Sequence, residues 1–220
     1  MEVKIYRVFI NDEDETGLFG ISLVNKPANQ AEVIYMSENP IQDIRLNEDK
    51  RLVSGVVLRP GQLIKRFNQD TNEPEYWYFE AEDIRKMVEF FFGKSYNNNV
   101  NIEHQIYNIN DVVLTESYFI DRKRGIDPME FKQYEDFSWI VTYKVGNDDV
   151  WNEIKNGTFK GFSIDGRIEK LLVKTEIKMS EKESKIDVIN RLLKEYDKIK
   201  DEDNNEIEIS IIDYVNYYVK

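Results

Sequence analysis

The chain has 220 residues, of which 41% are hydrophobic, and this is enough for one sizeable domain with or without an appendage. It contains no cysteine, which excludes disulfides and thiolate catalysis, and its single histidine argues against a histidine-based metal centre. Carboxylates could still hold a hard cation. The formal net charge of −12 disfavours nucleic acid as a partner. No stretch approaches the roughly 20 apolar residues of a membrane span, and the first residues lack the apolar core of a signal peptide. We therefore expect a soluble protein that is neither secreted nor bound to a membrane.

Apolar and alternating runs predict a chain rich in strands. The first run, residues 2–10, is apolar on both faces, which is typical of a strand buried on both sides. Further strands are predicted at 20–24, 52–58, 76–79, 112–120, 139–145 and 159–168. Residues 37–50 are polar and predict a loop, and residues 68–74 predict a polar, hairpin-like connection.

Two short helices interrupt this pattern. Residues 81–92 carry apolar side chains at i, i+3, i+4 and i+7, and Gly93 could take the left-handed position that ends the helix. Asn147 is a good N-cap for a second helix, which Gly157 would close. Many strands with a few short helices indicate an α+β or mainly-β domain.

The character of the sequence changes near Lys170. Ser184 and Asp187 have the spacing of a capping box, and an apolar stripe follows from Ile186 to Tyr196. Residues 207–219 are apolar and fit a strand or a helix. We therefore predict a globular domain over 1–172 and a helical extension over 173–220, which either packs on the body or forms a separate docking or self-processed arm.

A serine and the single histidine form a candidate nucleophile and base. If 159–168 is a strand, Gly161, Ser163 and Asp165 share one face, and the opposite face anchors the strand in the core. A serine hydroxyl needs a base whose pKa lies near the pH at which the enzyme works. Histidine meets this requirement, and His104 is the one histidine of the chain. A glycine-flanked serine is common, however, so this pair alone does not establish catalysis.

A third group usually orients the imidazole of such a pair. Glu116, on the strand after His104, is the first candidate, followed by Asp165 and then Glu103. Lys160 could serve as the base of a Ser-Lys dyad, but it falls on the strand face opposite Ser163.

Five blocks of sequence resemble, in this order, the XkdF-type phage prohead (capsid maturation) serine proteases. The blocks are 20–29 (GISLVNKPAN), 53–57 (VSGVV), 101–104 (NIEH), 116–117 (ES) and 150–164 (VWNEIKNGTFKGFSI), and the resemblance as a whole spans about residues 1–170. The last block is the most specific. The first looks like a block that other prohead proteases carry after the catalytic serine, as if the domain were circularly permuted. Gly20 stands where the permuted relatives tend to carry an acid.

The resemblance implies a fold similar to herpesvirus assemblin, an antiparallel β-barrel with peripheral helices, and a serine endopeptidase that needs no cofactor. His104 and Ser163 match the family's histidine and serine. Assemblins use a second histidine as the third catalytic residue, and this chain has none. Glu116 is therefore assigned to that role from its position alone. The alternative is a Ser-His dyad in which water is the third partner. We assign the oxyanion hole to the backbone N–H groups of Gly166 and Arg167.

The resemblance also implies a setting and partners. The enzyme would act inside the phage prohead in the host cytoplasm, cutting the scaffold protein, arms of the major capsid protein, and itself. Contact with the portal and a homodimer are further expectations. The alternatives are a non-catalytic capsid-assembly or scaffold protein that keeps the protease fold, and a general acidic interaction module.

Overall fold

A computed structural model describes residues 4–11, 16–27, 44–68, 71–106 and 108–174. One compact unit spans Ile5–Val173, and the remainder of the chain belongs to a second unit that lies almost entirely outside these ranges. The helix predicted after Ser184 and the apolar stretch 207–219 also lie outside them. The division between a domain over 1–172 and an extension over 173–220 therefore stays a prediction.

The described residues form eleven strands and two α-helices. The strands are β1 (Lys4–Phe9), β2 (Gly17–Val24), β3 (Ile44–Asn47), β4 (Leu52–Leu58), β5 (Ile64–Phe67), β6 (Pro74–Tyr78), β7 (Val100–Ile102), β8 (Val112–Phe119), β9 (Trp139–Val145), β10 (Gly161–Arg167) and β11 (Glu169–Lys174). The helices are α1 (Ala81–Gly93) and α2 (Asp148–Lys155). Neither of these helices is long and apolar enough to cross a membrane.

The strands are arranged in three sheets, with orders β11-β1-β6-β5, β10-β2-β7 and β3-β4-β9-β8. Pairing in the third sheet is antiparallel throughout, whereas the second combines the antiparallel pair β10–β2 with the parallel pair β2–β7. The predicted α+β class is confirmed. In the described part of the chain the sheets do not close into a barrel, so the predicted barrel is not observed.

A large apolar core packs against the inner faces of the sheets. Phe162 of β10 is fully buried, and its ring lies 5.6 Å, centroid to centroid, from that of Tyr143 in β9. Trp139, also fully buried, contacts Phe91 of α1 edge to face. Burial of these aromatic rings supplies a large share of the driving force that holds the sheets and α1 together.

Long alternating segments were predicted well, and short or charged ones were not. β4 and β9 have the predicted bounds, and Asn147 caps α2 by accepting a hydrogen bond of 3.1 Å from the backbone N–H of Val150. Residues 37–50 are not all loop, because β3 forms there and pairs with β4. Gly93 is the last residue of α1, and the left-handed residue beyond the helix is Ser95, at φ 60°.

Candidate active site

The registers of two strand pairs bring polar side chains together on one face of the sheet β10-β2-β7. Ser163 lies directly opposite Ser22 in the antiparallel pair β10–β2. Ser22 in turn lies beside Asn101 in the parallel pair β2–β7. Asp165, two residues beyond Ser163, projects from the same face of β10. Residues separated by up to 143 positions in the sequence thus meet at one place.

His104 reaches this face from a tight turn that follows β7. Glu103 and His104 have φ values of 49° and 59°, in the left-handed region that non-glycine residues seldom occupy. The backbone N–H of Gln105 closes the turn by donating to the carbonyl of Ile102 at 3.0 Å. Such a conformation costs energy, about 1–3 kcal/mol for each residue, and it points the imidazole back towards β10.

The imidazole of His104 contacts the carboxylate of Asp165 through Nδ1 and Oδ1. A carboxylate accepts hydrogen bonds and does not donate them when it is ionised. Nδ1 must therefore carry the proton of a neutral imidazole, which leaves Nε2 with a free lone pair. This is the tautomer that a general base requires.

The other carboxylate oxygen, Asp165 Oδ2, is held by two neighbours. Ser22 Oγ and Asn101 Nδ2 each lie 2.7 Å from it. Partial burial raises the pKa of Asp165, but the hydrogen bonds from Ser22, His104 and Asn101, together with the charge of His104, outweigh this effect and hold the pKa below its usual value. Asp165 is therefore ionised at neutral pH.

The placement of Ser163 agrees in part with the arrangement predicted from the sequence. Phe162 anchors β10 from the opposite face, and Ser163 shares the face of Asp165 as expected. Ser163 is 7% exposed, and within the described residues no hydrogen bond joins it to His104. Catalytic hydrogen bonds are often unmade in a free enzyme and form only when substrate binds.

The structure does not bring Glu116 to His104. Glu116 lies on β8 in a different sheet, where its carboxylate accepts a hydrogen bond of 2.8 Å from Thr142 Oγ1. Glu103, the third candidate, accepts a hydrogen bond of 2.6 Å from the backbone N–H of Asn25. Asp165, the second candidate, is the carboxylate that contacts the imidazole.

The proposed oxyanion residues and Lys160 flank Ser163 along the chain. Gly166 and Arg167 continue the pairing with β2, immediately after an irregularity in the register. A Cβ atom at Gly166 would lie 2.5 Å from the carbonyl oxygen of Gly17, so glycine is required there for close approach of the two strands. Lys160 lies just before β10, and its backbone N–H donates to the carbonyl of Val24 at 2.9 Å.

Sequence reasoning did not identify Ser22 and Asn101 as members of this site. Both lie inside blocks that carry the family resemblance, and Ser22 follows a glycine at the same spacing as Ser163 follows Gly161. That repeated Gly-x-Ser pattern was the available signal. In the described part of the chain, no group of three or more His, Asp or Glu side chains is arranged to hold a metal ion.

The fold and this cluster define an α+β protein with a serine, a histidine and an aspartate on one sheet face, the residue types with which serine hydrolases work. The chain belongs to the family described as "Putative phage serine protease XkdF", which matches residues 41–171. This range includes His104, Ser163 and Asp165 but begins after Ser22. The resemblance to the XkdF family is thus confirmed.

A curated relative supports the same family. The chain is 27% identical over 159 residues to the phage-like element PBSX protein XkdF of Bacillus subtilis (strain 168). The alignment covers 66% of this chain and 50% of the relative, so the chain spans about half of that protein's length. No solved structure matches the chain.

Proposed function

We propose that the protein is a serine endopeptidase of phage capsid maturation. The observation that carries this proposal is the contact between His104 Nδ1 and Asp165 Oδ1, on the face of the sheet that presents Ser163. Membership of a family named for phage serine proteases supports the reaction class and the phage setting. The composition adds a chemical reason, because His104 is the chain's one imidazole.

In the proposed reaction Ser163 Oγ attacks the scissile carbonyl carbon while His104 Nε2 removes the hydroxyl proton. The tetrahedral intermediate collapses when the imidazolium gives that proton to the leaving amine, and an acyl-enzyme on Ser163 remains. A water molecule, deprotonated by the same Nε2, then releases the acid and restores the serine. Asp165 stays ionised throughout and stabilises the imidazolium through Nδ1–H.

Asp165 takes the orienting role that sequence reasoning had placed first on Glu116. In the strand register Asp165 lies directly opposite Gly20. A Cβ atom at position 20 would lie 3.4 Å from Asp165 Oδ2, so side chains from the two positions compete for one space. An acid carried at position 20, as the resemblance implies for permuted relatives, would reach the place that Asp165 fills here.

The oxyanion hole is our own assignment, and the remaining parts of the proposal rest on the resemblance. The backbone N–H groups of Gly166 and Arg167 would stabilise the oxyanion, and the fold would be related to that of herpesvirus assemblin. The substrates would be the scaffold protein, arms of the major capsid protein and the chain itself, inside the prohead in the host cytoplasm. Contact with the portal and a homodimer belong to the same proposal.

A second candidate function is a capsid-assembly or scaffold protein that keeps the fold without catalysis. One observation favours it: Ser163 is buried and makes no hydrogen bond to His104 among the described residues. This reading predicts that the chain and its Ser163→Ala variant leave capsid and scaffold proteins equally intact.

Co-expression with the capsid and scaffold proteins of the same phage separates the two functions. Intact-mass spectrometry should show trimmed products with the unaltered chain and full-length proteins with Ser163→Ala. Circular dichroism of both chains checks that the fold is unchanged. Equal processing by both chains would eliminate Ser163 as the nucleophile, and absence of processing by either would favour the non-catalytic function.

A further inference from the structure

Ser22 is a second serine hydroxyl in the cluster, and the proposed reaction gives it no role. Its side chain is fully buried. Its Oγ lies 2.6 Å from Asn101 Oδ1, 2.7 Å from Asp165 Oδ2 and 3.2 Å from His104 Nδ1. A buried hydroxyl that touches three other members of a site is placed to influence all of them.

The geometry argues against Ser22 as the nucleophile. The imidazole nitrogen within hydrogen-bonding distance of Ser22 Oγ is Nδ1, which faces the Asp165 carboxylate and therefore already carries a proton. Nδ1 cannot accept a second proton from Ser22. Ser22 is also more deeply buried than Ser163, at 0% against 7% exposed, so a substrate carbonyl reaches Ser163 more easily.

The hydrogen bonds of Asn101 determine which atoms of the cluster donate and which accept. Its amide nitrogen must face Asp165 Oδ2, because its amide oxygen would be repelled by a carboxylate at 2.7 Å. Its amide oxygen then faces Ser22. The single Ser22 proton consequently lies between two oxygen acceptors, Asn101 Oδ1 and Asp165 Oδ2, and is held within the cluster.

We propose that Ser22 is a positioning residue that acts with Asn101 to clamp Oδ2 of Asp165, so that Oδ1 is presented to His104 Nδ1. This inference rests on the proposed function, since it assigns Ser22 a part in the same reaction. With Oδ2 held from two sides, the carboxylate cannot rotate away from the imidazole. The Nδ1–H tautomer is thereby maintained, and Nε2 stays available as the base for Ser163.

Nuclear magnetic resonance can test this directly, because the chain contains one histidine and so gives one set of imidazole nitrogen signals. The ¹⁵N-labelled full chain should show the proton of the neutral ring on Nδ1. In Ser22→Ala, the Nδ1 and Nε2 chemical shifts of the neutral ring should move towards each other, because the two tautomers exchange rapidly and the Nε2–H tautomer gains population. Ser54→Ala is the matched control. Thr142 Oγ1 donates to Glu116 and so accepts the Ser54 proton at 2.9 Å, which makes Ser54 a hydroxyl donor within a different sheet. Ser54→Ala should leave the imidazole signals unchanged.

Cleavage kinetics give the second readout. In Ser22→Ala, kcat should fall about 5–30-fold, the effect of losing one hydrogen bond within the cluster, with KM unchanged. Ser54→Ala should change neither constant. An unchanged tautomer and unchanged kcat in Ser22→Ala would overturn the inference while leaving the proposed function intact.

The two proposals fail in distinguishable ways. If the chain cleaves nothing but the tautomer responds to Ser22→Ala as expected, the clamp stands and the protease function falls. If Ser22→Ala abolishes cleavage and Ser163→Ala does not, Ser22 is the nucleophile, and both the clamp and the assignment of Ser163 are wrong while the endopeptidase activity stands. If Ser22→Ala fails to fold, the ¹⁵N spectrum of the unaltered chain still tests the clamp. A neutral imidazole protonated on Nε2 in that spectrum would contradict it.

Discussion

Two clusters of hydroxyl and carboxylate groups lie on different sheets of this protein, and only one of them includes an imidazole. On the sheet β3-β4-β9-β8, Thr142 donates to Glu116 at 2.8 Å and therefore accepts from Ser54 at 2.9 Å. On the sheet β10-β2-β7, Asp165 is held by a serine in a similar way but also contacts His104.

The difference shows what distinguishes a polar cluster that only satisfies hydrogen bonds from one that can take part in proton transfer. Hydroxyl–carboxylate pairs satisfy hydrogen bonds between strands, and in the Glu116 cluster nothing further is needed. In the Asp165 cluster the carboxylate has a second oxygen directed at a ring that is 47% exposed and can exchange protons. A carboxylate near the histidine in sequence, such as Glu116, is therefore a weaker signal than a carboxylate that contacts the imidazole, such as Asp165.

The largest expected effect comes from exchanging a carboxylate for an amide in each cluster. Asp165→Asn should lower kcat for cleavage roughly 10³–10⁴-fold, because the amide no longer enforces the Nδ1–H tautomer. Glu116→Gln should stay within about threefold of the unaltered chain, as expected for a change remote from the site. Cleavage of a labelled capsid or scaffold fragment measures both. A larger loss of kcat in Glu116→Gln than in Asp165→Asn would show that Glu116, and not Asp165, orients the imidazole.

The next effect concerns the contact between the two sheets. Phe162→Ala should lower the free energy of unfolding by about 3–5 kcal/mol, because it leaves a cavity against Tyr143. Ile164→Val, a smaller change at a half-buried position on the same face of β10, should cost at most about 1.5 kcal/mol. Urea unfolding of the three chains measures these differences. Equal costs would mean that Phe162 does not anchor the site strand.

The smallest effect is a pH dependence of stability. Because the pKa of Asp165 is lower in the folded protein than in the unfolded chain, ionised Asp165 stabilises the fold. The advantage over Asp165→Asn should be fully present above about pH 4, the pKa of an unfolded aspartate, and should be lost as the pH falls through the folded pKa below it.

Urea unfolding at a series of acidic pH values provides the measurement. Ser54→Ala is the control, because it removes an uncharged donor, and its difference from the unaltered chain should stay constant over this range. A difference between Asp165→Asn and the unaltered chain that also stays constant down to pH 2 would show that Asp165 is not held in its ionised form.

The strands that bear local signals could be predicted, and the pairing between them could not. β4 and β9 alternate or run apolar over seven residues, so their bounds follow from the sequence. β5 and β7 have only four and three residues, too few for a local pattern, and they are strands because they pair with β6 and β2. The pattern predicted β10, but it says nothing about which strand lies beside it.

The same limit explains the outcome at the site. His104 and Ser163 could be singled out from composition and spacing, and the shared face of Ser163 and Asp165 follows from alternation. The contact between His104 and Asp165 depends on β2, which pairs with β7 on one side and β10 on the other. No local pattern specifies two such registers, so Glu116 was ranked above Asp165 and Ser22 was not identified.

Labelling with a serine-reactive phosphonate tests the central claim most directly. Trypsin releases Ser163 in the peptide Gly161–Arg167, in which it is the sole serine, and releases Ser22 in a different peptide. We predict that the phosphonate is found on Gly161–Arg167 and that His104→Ala prevents its addition. A label on the Ser22 peptide, or labelling that does not require His104, would contradict the assignment of Ser163 as a nucleophile activated by His104.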